Sequence, residues 1–132
     1  MSQENVEAYK RAVEAANRRD LEAMLEELAP DVEWYPEVVG LGSEVYRGAE
    51  GIRELFGDMG ETIPDAFFEI SEIRDLGDRL LSFGRLRAHG MESGAPTEVP
   101  FAQLVHFTDS KATVLRTFLD PKEALEAAGL SE

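Results

Sequence analysis

Apolar residues recur at two different periods along this chain, and the change between them divides it. Across residues 3–17, Val6, Tyr9, Ala12, Val13 and Ala16 follow the three-and-four spacing of one helix face. Asp20 then predicts the N-cap of a short second helix, with Glu22 in its first turn. Leu21, Met24, Leu25 and Leu28 fall on its buried side, and Pro30 stops it. Residues 31–35 read as a short strand ended by Pro36, with Val32 and Trp34 on one face. Residues 37–47 read as a loop. A third helix is predicted from about Ala49 to Met59, burying Ile52, Leu55 and Phe56. Glu50 suits its positive N-terminal end.

From residue 66 onwards the period shortens to two. Ala66–Leu76 alternates through Phe68, Ile70 and Ile73, and Gly77-Asp78 gives a turn signal. Arg79–His89 is the next strand, and residues 90–94 form a loose hairpin. Two further strands lie between Thr97 and Asp120, joined at Thr108-Asp109-Ser110. Val99, Phe101, Val105 and Phe107 share one face of the first, with Gln103 in the middle of that apolar row. A buried amide must find hydrogen-bond partners or lower stability, so its partners come from the protein or from a ligand. Asp120, Pro121 and Glu123 make a strong helix start: cap, N1 and N3. Helices followed by a run of hairpin strands predict an α+β fold, with helices on one face of a curved sheet.

The length of 132 residues fits a single domain, 1–132, able to bury a core without staples. Cysteine is absent, which removes disulfides, thiolate metal sites and cysteine nucleophiles. With 27 acidic and 13 basic residues the net charge is −14, opposite to what phosphate binding needs, so nucleic acid is not an expected partner. The charged N-terminus has no apolar signal region, and no run of residues could span a bilayer. A cytoplasmic protein is expected. His89 and His106 are the only histidines. Neither has a carboxylate at ligand spacing, so no metal site and no cofactor are expected.

Four motifs, in order and at consistent spacing, resemble the SnoaL-like branch of the nuclear transport factor 2-like superfamily. They are the opening Met1–Val6; Asn17–Leu21 followed by Pro30–Trp34; Tyr46-Arg47-Gly48 followed by Gly51-Ile52; and Phe118-Leu119-Asp120 running into Glu123–Leu130. The resemblance covers nearly the whole chain. It implies a curved antiparallel sheet wrapped around three N-terminal helices, a cone with an internal pocket, and a short C-terminal helix. It also implies a homodimer formed through the outer sheet face. A superfold of this kind hosts many chemistries, so function has to be argued from the site.

A three-residue bulged turn at 108–110 would pair Phe107 with Lys111, Gln103 with Leu115 and Phe101 with Thr117. A two-residue turn would set Gln103 opposite Arg116. The bulged register puts Phe101, Gln103, Val105, Leu115, Thr117 and Leu119 inside the cone. The outer face then carries Arg85, Arg87, His89, His106, Arg116 and Phe118, a mixture that suits a dimer contact. By resemblance, Gln103 stands where ketosteroid isomerases hold a protonated aspartic acid, and an amide can donate there without any pKa adjustment. Ala12 replaces that enzyme's tyrosine, and Tyr35 or Pro36 its proton-shuttling aspartate, so ketosteroid isomerisation is not expected. The expected pocket lining is Tyr9, Trp34, Tyr46, Leu86, Phe101, Gln103, Leu115 and Thr117. Glu37 is the one carboxylate near the lost aspartate, at the cone mouth. Asp120 is read as a helix cap, not a catalytic acid. The expected ligand is a small hydrophobic, possibly cyclic molecule. The alternative is a cyclase- or isomerase-type enzyme using acid–base chemistry on a hydrophobic ring.

Overall fold

The computed structural model describes residues 2–36, 45–62, 64–89 and 96–130. Glu37 lies outside the described residues. The elements run α1 (Ser2–Asn17), α2 (Leu21–Leu25), β1 (Leu28–Tyr35), β2 (Tyr46–Arg47), α3 (Gly48–Thr62), β3 (Phe67–Asp75), β4 (Arg79–His89), β5 (Pro96–Thr108), β6 (Lys111–Phe118) and α4 (Pro121–Ala127). The strands form one curved sheet in the order β2-β1-β6-β5-β4-β3. Neighbouring strands pair antiparallel except β1 and β6, which run parallel.

Both expected caps are present. The Asp20 carboxylate accepts from the Ala23 amide and Asp120 from the Lys122 amide, at 3.2 and 2.9 Å. Each satisfies a helix-end N–H that has no partner within its helix. Helix α2 stops earlier than Pro30 requires. Leu28 and Pro30 belong to β1, and Leu28 is a strand residue of the core. Pro30 fits there because β1 joins β6 only at Leu28 and again from Glu33, leaving the stretch around Pro30 outside the ladder. Tyr46 and Arg47, expected in a loop, pair with Trp34 and Glu33.

The turn between β5 and β6 corrects the expected register. Thr108 pairs with Lys111 across a two-residue turn, in which Asp109 and Ser110 both take positive φ, 52° and 64°. The extra residue sits further along: His106 pairs with Val114 and Phe107 with Ala112, which leaves Thr113 over. Gln103 therefore lies opposite Thr117, and Val105 opposite Leu115. Turn and bulge together preserve the expected facing, because their two one-residue shifts add to an even shift of two.

The inner sheet face and the three helices enclose the main core, including Tyr9, Val32, Trp34, Ile52, Leu55, Leu80, Val105 and Leu115. A second core lies on the outer face, where α4 and its C-cap lay Ala124 and Ala128 over Leu81, Ala102, Leu104 and Phe118. Phe118 is thus covered by its own chain. Arg116 is exposed, with its guanidinium 5.1 Å from the Phe118 ring centre. Arg85 and Arg87 are exposed and share Glu98, while Arg87 also reaches Glu69. His106 is half-buried, and burial followed by the Arg79 charge holds its imidazole below the usual range.

The candidate functional site

Four elements converge on one buried polar chain. Tyr9 comes from the inward face of α1, Ser82 from β4, Gln103 from β5 and Thr117 from β6. The Tyr9 hydroxyl donates to Gln103 Oε1 at 2.7 Å and lies 2.6 Å from Ser82 Oγ. Gln103 Nε2 donates to Thr117 Oγ1 at 3.1 Å, and Trp34 Nε1 donates to the same oxygen at 3.2 Å. With the Tyr9 proton committed to Gln103, Ser82 supplies the proton of the first link. Register explains the convergence: on β5, Gln103 has Ser82 as its cross-strand neighbour on one side and Thr117 on the other.

Each member is buried: Ser82 is 0% exposed, Tyr9 3%, Thr117 4% and Gln103 5%. Gln103 nevertheless has capacity to spare. Its Nε2 carries two N–H groups, and Thr117 is its one acceptor among the described residues. Exchanging the amide oxygen and nitrogen would reverse the chain's polarity and still leave one N–H over.

Gln103 and Tyr9 border a cavity of about 30 Å³ whose other walls are apolar. Trp34, Phe101, Phe107, Leu115 and Phe68 form much of that lining. A second cavity of about 50 Å³ lies beyond, between Arg19, Phe56, Met59 and Ala66, and shares Ala16, Trp34 and Phe68 with the first. Of the expected lining residues, Tyr9, Trp34, Phe101, Gln103 and Leu115 border the inner cavity. Thr117 stands one bond behind it. Leu86 packs instead with Ala66 and Phe101, and Tyr46 turns its hydroxyl to Asp58 at 2.8 Å. Ser82 and Phe68 were not expected at the site. The signal for Ser82 was its cross-strand pairing with Gln103, a hydroxyl opposite an amide on the inward faces of two strands.

No carboxylate or histidine borders the inner cavity among the described residues. Asp120 is engaged at its helix cap, and His89 meets Asp65 at the surface. No group of three or more His, Cys, Asp or Glu among the described residues could hold a metal. No helix of the described residues is long and apolar enough to cross a membrane.

Among the described residues, Tyr9 is the one ionisable group on the cavity wall. Burial, only partly offset by the Ser82 hydrogen bond, pushes its phenol well above the ordinary range. It is therefore a neutral donor and not a base. A folded pKa above the unfolded value of about 10 gives stability that is complete below pH 10 and is lost as pH rises further. Ultraviolet titration should show one of the three tyrosines ionising only as the chain unfolds. Tyr9→Phe should remove that late phenol. A Tyr9 that ionises with the native fold intact would contradict the geometry.

A family model for a SnoaL-like domain matches residues 9–115. No match was found among curated protein sequences. Solved structures do match. An NTF2-like protein of unknown function from Burkholderia pseudomallei K96243 is 24% identical with a TM-score of 0.80, covering 93% of this chain and 95% of its own. TerC, co-crystallised with polyporic acid, is 28% identical with a TM-score of 0.80, covering 93% and 96%. An NTF2-like protein from Burkholderia thailandensis E264 is 25% identical with a TM-score of 0.77, covering 97% of each chain. With 107 of 132 residues matched on an α+β cone of the same architecture, the chain belongs to the SnoaL-like domain family.

Proposed function

We propose that this protein binds a small, flat, apolar ring molecule carrying a hydrogen-bond acceptor, in the cone beside Trp34 and Gln103. The observation that carries this reading is Gln103 on the wall of an otherwise apolar cavity, with one of its two N–H groups given no acceptor among the described residues. Pockets of this type combine an apolar lining with a few placed polar groups that fix orientation. The Gln103 amide is held on both sides, by Tyr9 and by Thr117, so it is pre-oriented and loses little freedom on binding. Trp34 offers a flat apolar face whose own N–H is already satisfied. TerC, co-crystallised with polyporic acid, adds a relative at 28% identity in which a fold of this kind was crystallised with a small molecule.

The lining favours binding over acid–base turnover. General acid–base catalysis needs a titrating group that can change state near the operating pH, and the neutral Tyr9 phenol is the one ionisable group there. The inner cavity is smaller than a ring, so binding must move part of its wall. A water-sized space needs about 10–15 Å³, whereas a cavity of about 150 Å³ takes benzene.

Menadione, a two-ring quinone with two carbonyl acceptors, is a suitable probe. The chain has no cysteine, so the quinone meets no thiol. Trp34 is the single tryptophan and reports the site directly. Menadione is expected to quench Trp34 fluorescence saturably at micromolar concentration. Gln103→Leu should weaken binding by about ten-fold, the effect of losing one hydrogen bond to a buried acceptor. Quenching that never saturates and matches that of free N-acetyltryptophanamide would sink the proposal.

A further inference from the structure

Phe68 borders three separate spaces. It lines the inner cavity with Gln103, the second cavity with Arg19 and Met59, and an open groove of about 710 Å³ between α1 and β3. It is half-buried, and its ring meets Phe101 edge-on at 5.5 Å and 76°. The groove is bordered on one side by Val6, Tyr9, Val13 and Asn17, and on the other by residues 67–73. Among the described residues, Phe68 is the one that borders all three: it stands with Tyr9 and Val13 between the inner cavity and the groove, and by itself between the second cavity and the groove.

The backbone beneath that ring is held from one place. β3 is an edge strand with no further strand beside it among the described residues, so its outward N–H and C=O groups need other partners. At Phe68 the Asn17 side chain supplies both: it accepts from the Phe68 N–H and donates to the Phe68 carbonyl, each at 2.9 Å. Arg19 adds a clamp just upstream, donating to the Pro64 and Ala66 carbonyls at 3.0 and 2.6 Å. The neighbouring stretch of β3 carries a register shift between Ile70 and Glu72, so the strand's regular pairing is interrupted close to the ring.

The geometry points to Phe68 as the specificity-determining residue of the site: its ring sets the size of ligand admitted, and ligand enters past it from the α1–β3 groove. This inference rests on the proposed ring-binding function for the ligand's identity, although the partition itself does not. Moving the ring aside joins the cavities of about 30 and 50 Å³ to the groove, which supplies the room a ring needs. The path ends at Gln103 and passes Trp34, which lines both cavities. Asn17 is a positioning residue, since it acts on the strand that carries Phe68.

Two measurements on the intact chain separate the partition from the ligand. The first is acrylamide quenching of Trp34, which needs no ligand. Phe68→Ala is expected to raise the quenching constant at least about two-fold, because Trp34's cavities then open to the groove. A constant unchanged from wild type, with the native circular dichroism retained, would overturn the partition. The second compares menadione with the three-ring 9,10-phenanthrenequinone. Wild type should prefer menadione by about ten-fold or more, the effect of one unaccommodated ring, and Phe68→Ala should abolish or reverse that preference. A preference kept within two-fold of wild type would overturn Phe68 as the size determinant. Wild type that binds neither quinone would count against the binding function alone, leaving the acrylamide result to decide the partition. Phe68→Leu keeps an apolar residue on the strand and should move both readouts in the same direction, which covers the case of an alanine variant that does not fold.

Discussion

Gly84→Ala is expected to lower the unfolding free energy by about 3 kcal/mol, the upper end of the ordinary range for overpacking. A Cβ at Gly84 would sit 2.0 Å from the Glu69 carbonyl oxygen and 3.0 Å from both the Glu69 carbonyl carbon and Ile70 Cα. These are backbone atoms of the paired strand, so no side chain can swing aside. β3 and β4 lie close here because the register slips: Ile70 faces Gly84, and the next pair is Glu72 with Phe83. Such a bulge bends the strand and sharpens its twist, and this bend helps β3 curl over α1. Relief of the clash would straighten the sheet where it carries Phe68 and Ile70. Gly57 gives the contrast. It lies exposed in α3, and a Cβ there meets nothing within 4 Å. Gly57→Ala should stabilise the protein by about 0.5–1 kcal/mol, through helix propensity and a less free unfolded chain. Urea denaturation of the two variants checks both signs. Equal effects would show that the close approach at Gly84 carries no steric cost.

Gln103→Leu is the second large effect, at about 2 kcal/mol of destabilisation, within the range for leaving buried partners unsatisfied. Leucine fills similar space, so the loss is polar and not a cavity. The Tyr9 hydroxyl is left with Ser82 alone, and Thr117 Oγ1 with Trp34 alone. Replacing both ends of a buried hydrogen bond by apolar groups is close to neutral, whereas removing one is not. Adding Tyr9→Phe to Gln103→Leu should therefore cost less than the sum of the single changes, with a coupling of about 1 kcal/mol. A Gln103→Leu variant more stable than wild type would show that the amide is not a structural member of the chain.

The sequence carried the fold well because its two hydrophobic periods match its two kinds of element. α1 follows its apolar stripe, and the bounds of β4 coincide with those expected. Failures came where pairing, not pattern, decides. Leu28 fits the helical spacing of α2 equally well, yet it opens β1, since a five-residue helix contributes little against a strand that can join the sheet. The β5–β6 register depended on where an extra residue sits, and alternation cannot locate it, because turn and bulge compensate. Of the candidate site, Gln103 stood out as a lone amide in an apolar row, and its partners Tyr9 and Thr117, with Trp34 bonded to Thr117, were all among the expected lining. Their bonding to one another was not legible, because it spans sequence separations of up to 94 residues. Phe68 read only as a core-facing strand residue. Its place between three spaces depends on how far β3 curls over α1, which no local pattern encodes.

That a ring lies against Trp34 and Gln103 inside the cone can be tested most directly by filtered nuclear Overhauser measurements on the menadione complex. Contacts from the menadione methyl and ring protons to Trp34, Leu115 and Phe101, with a shifted Gln103 side-chain amide resonance, are the expected result. Saturable binding with contacts confined to the α1–β3 groove or the outer sheet face, and with the Gln103 amide unmoved, would contradict it.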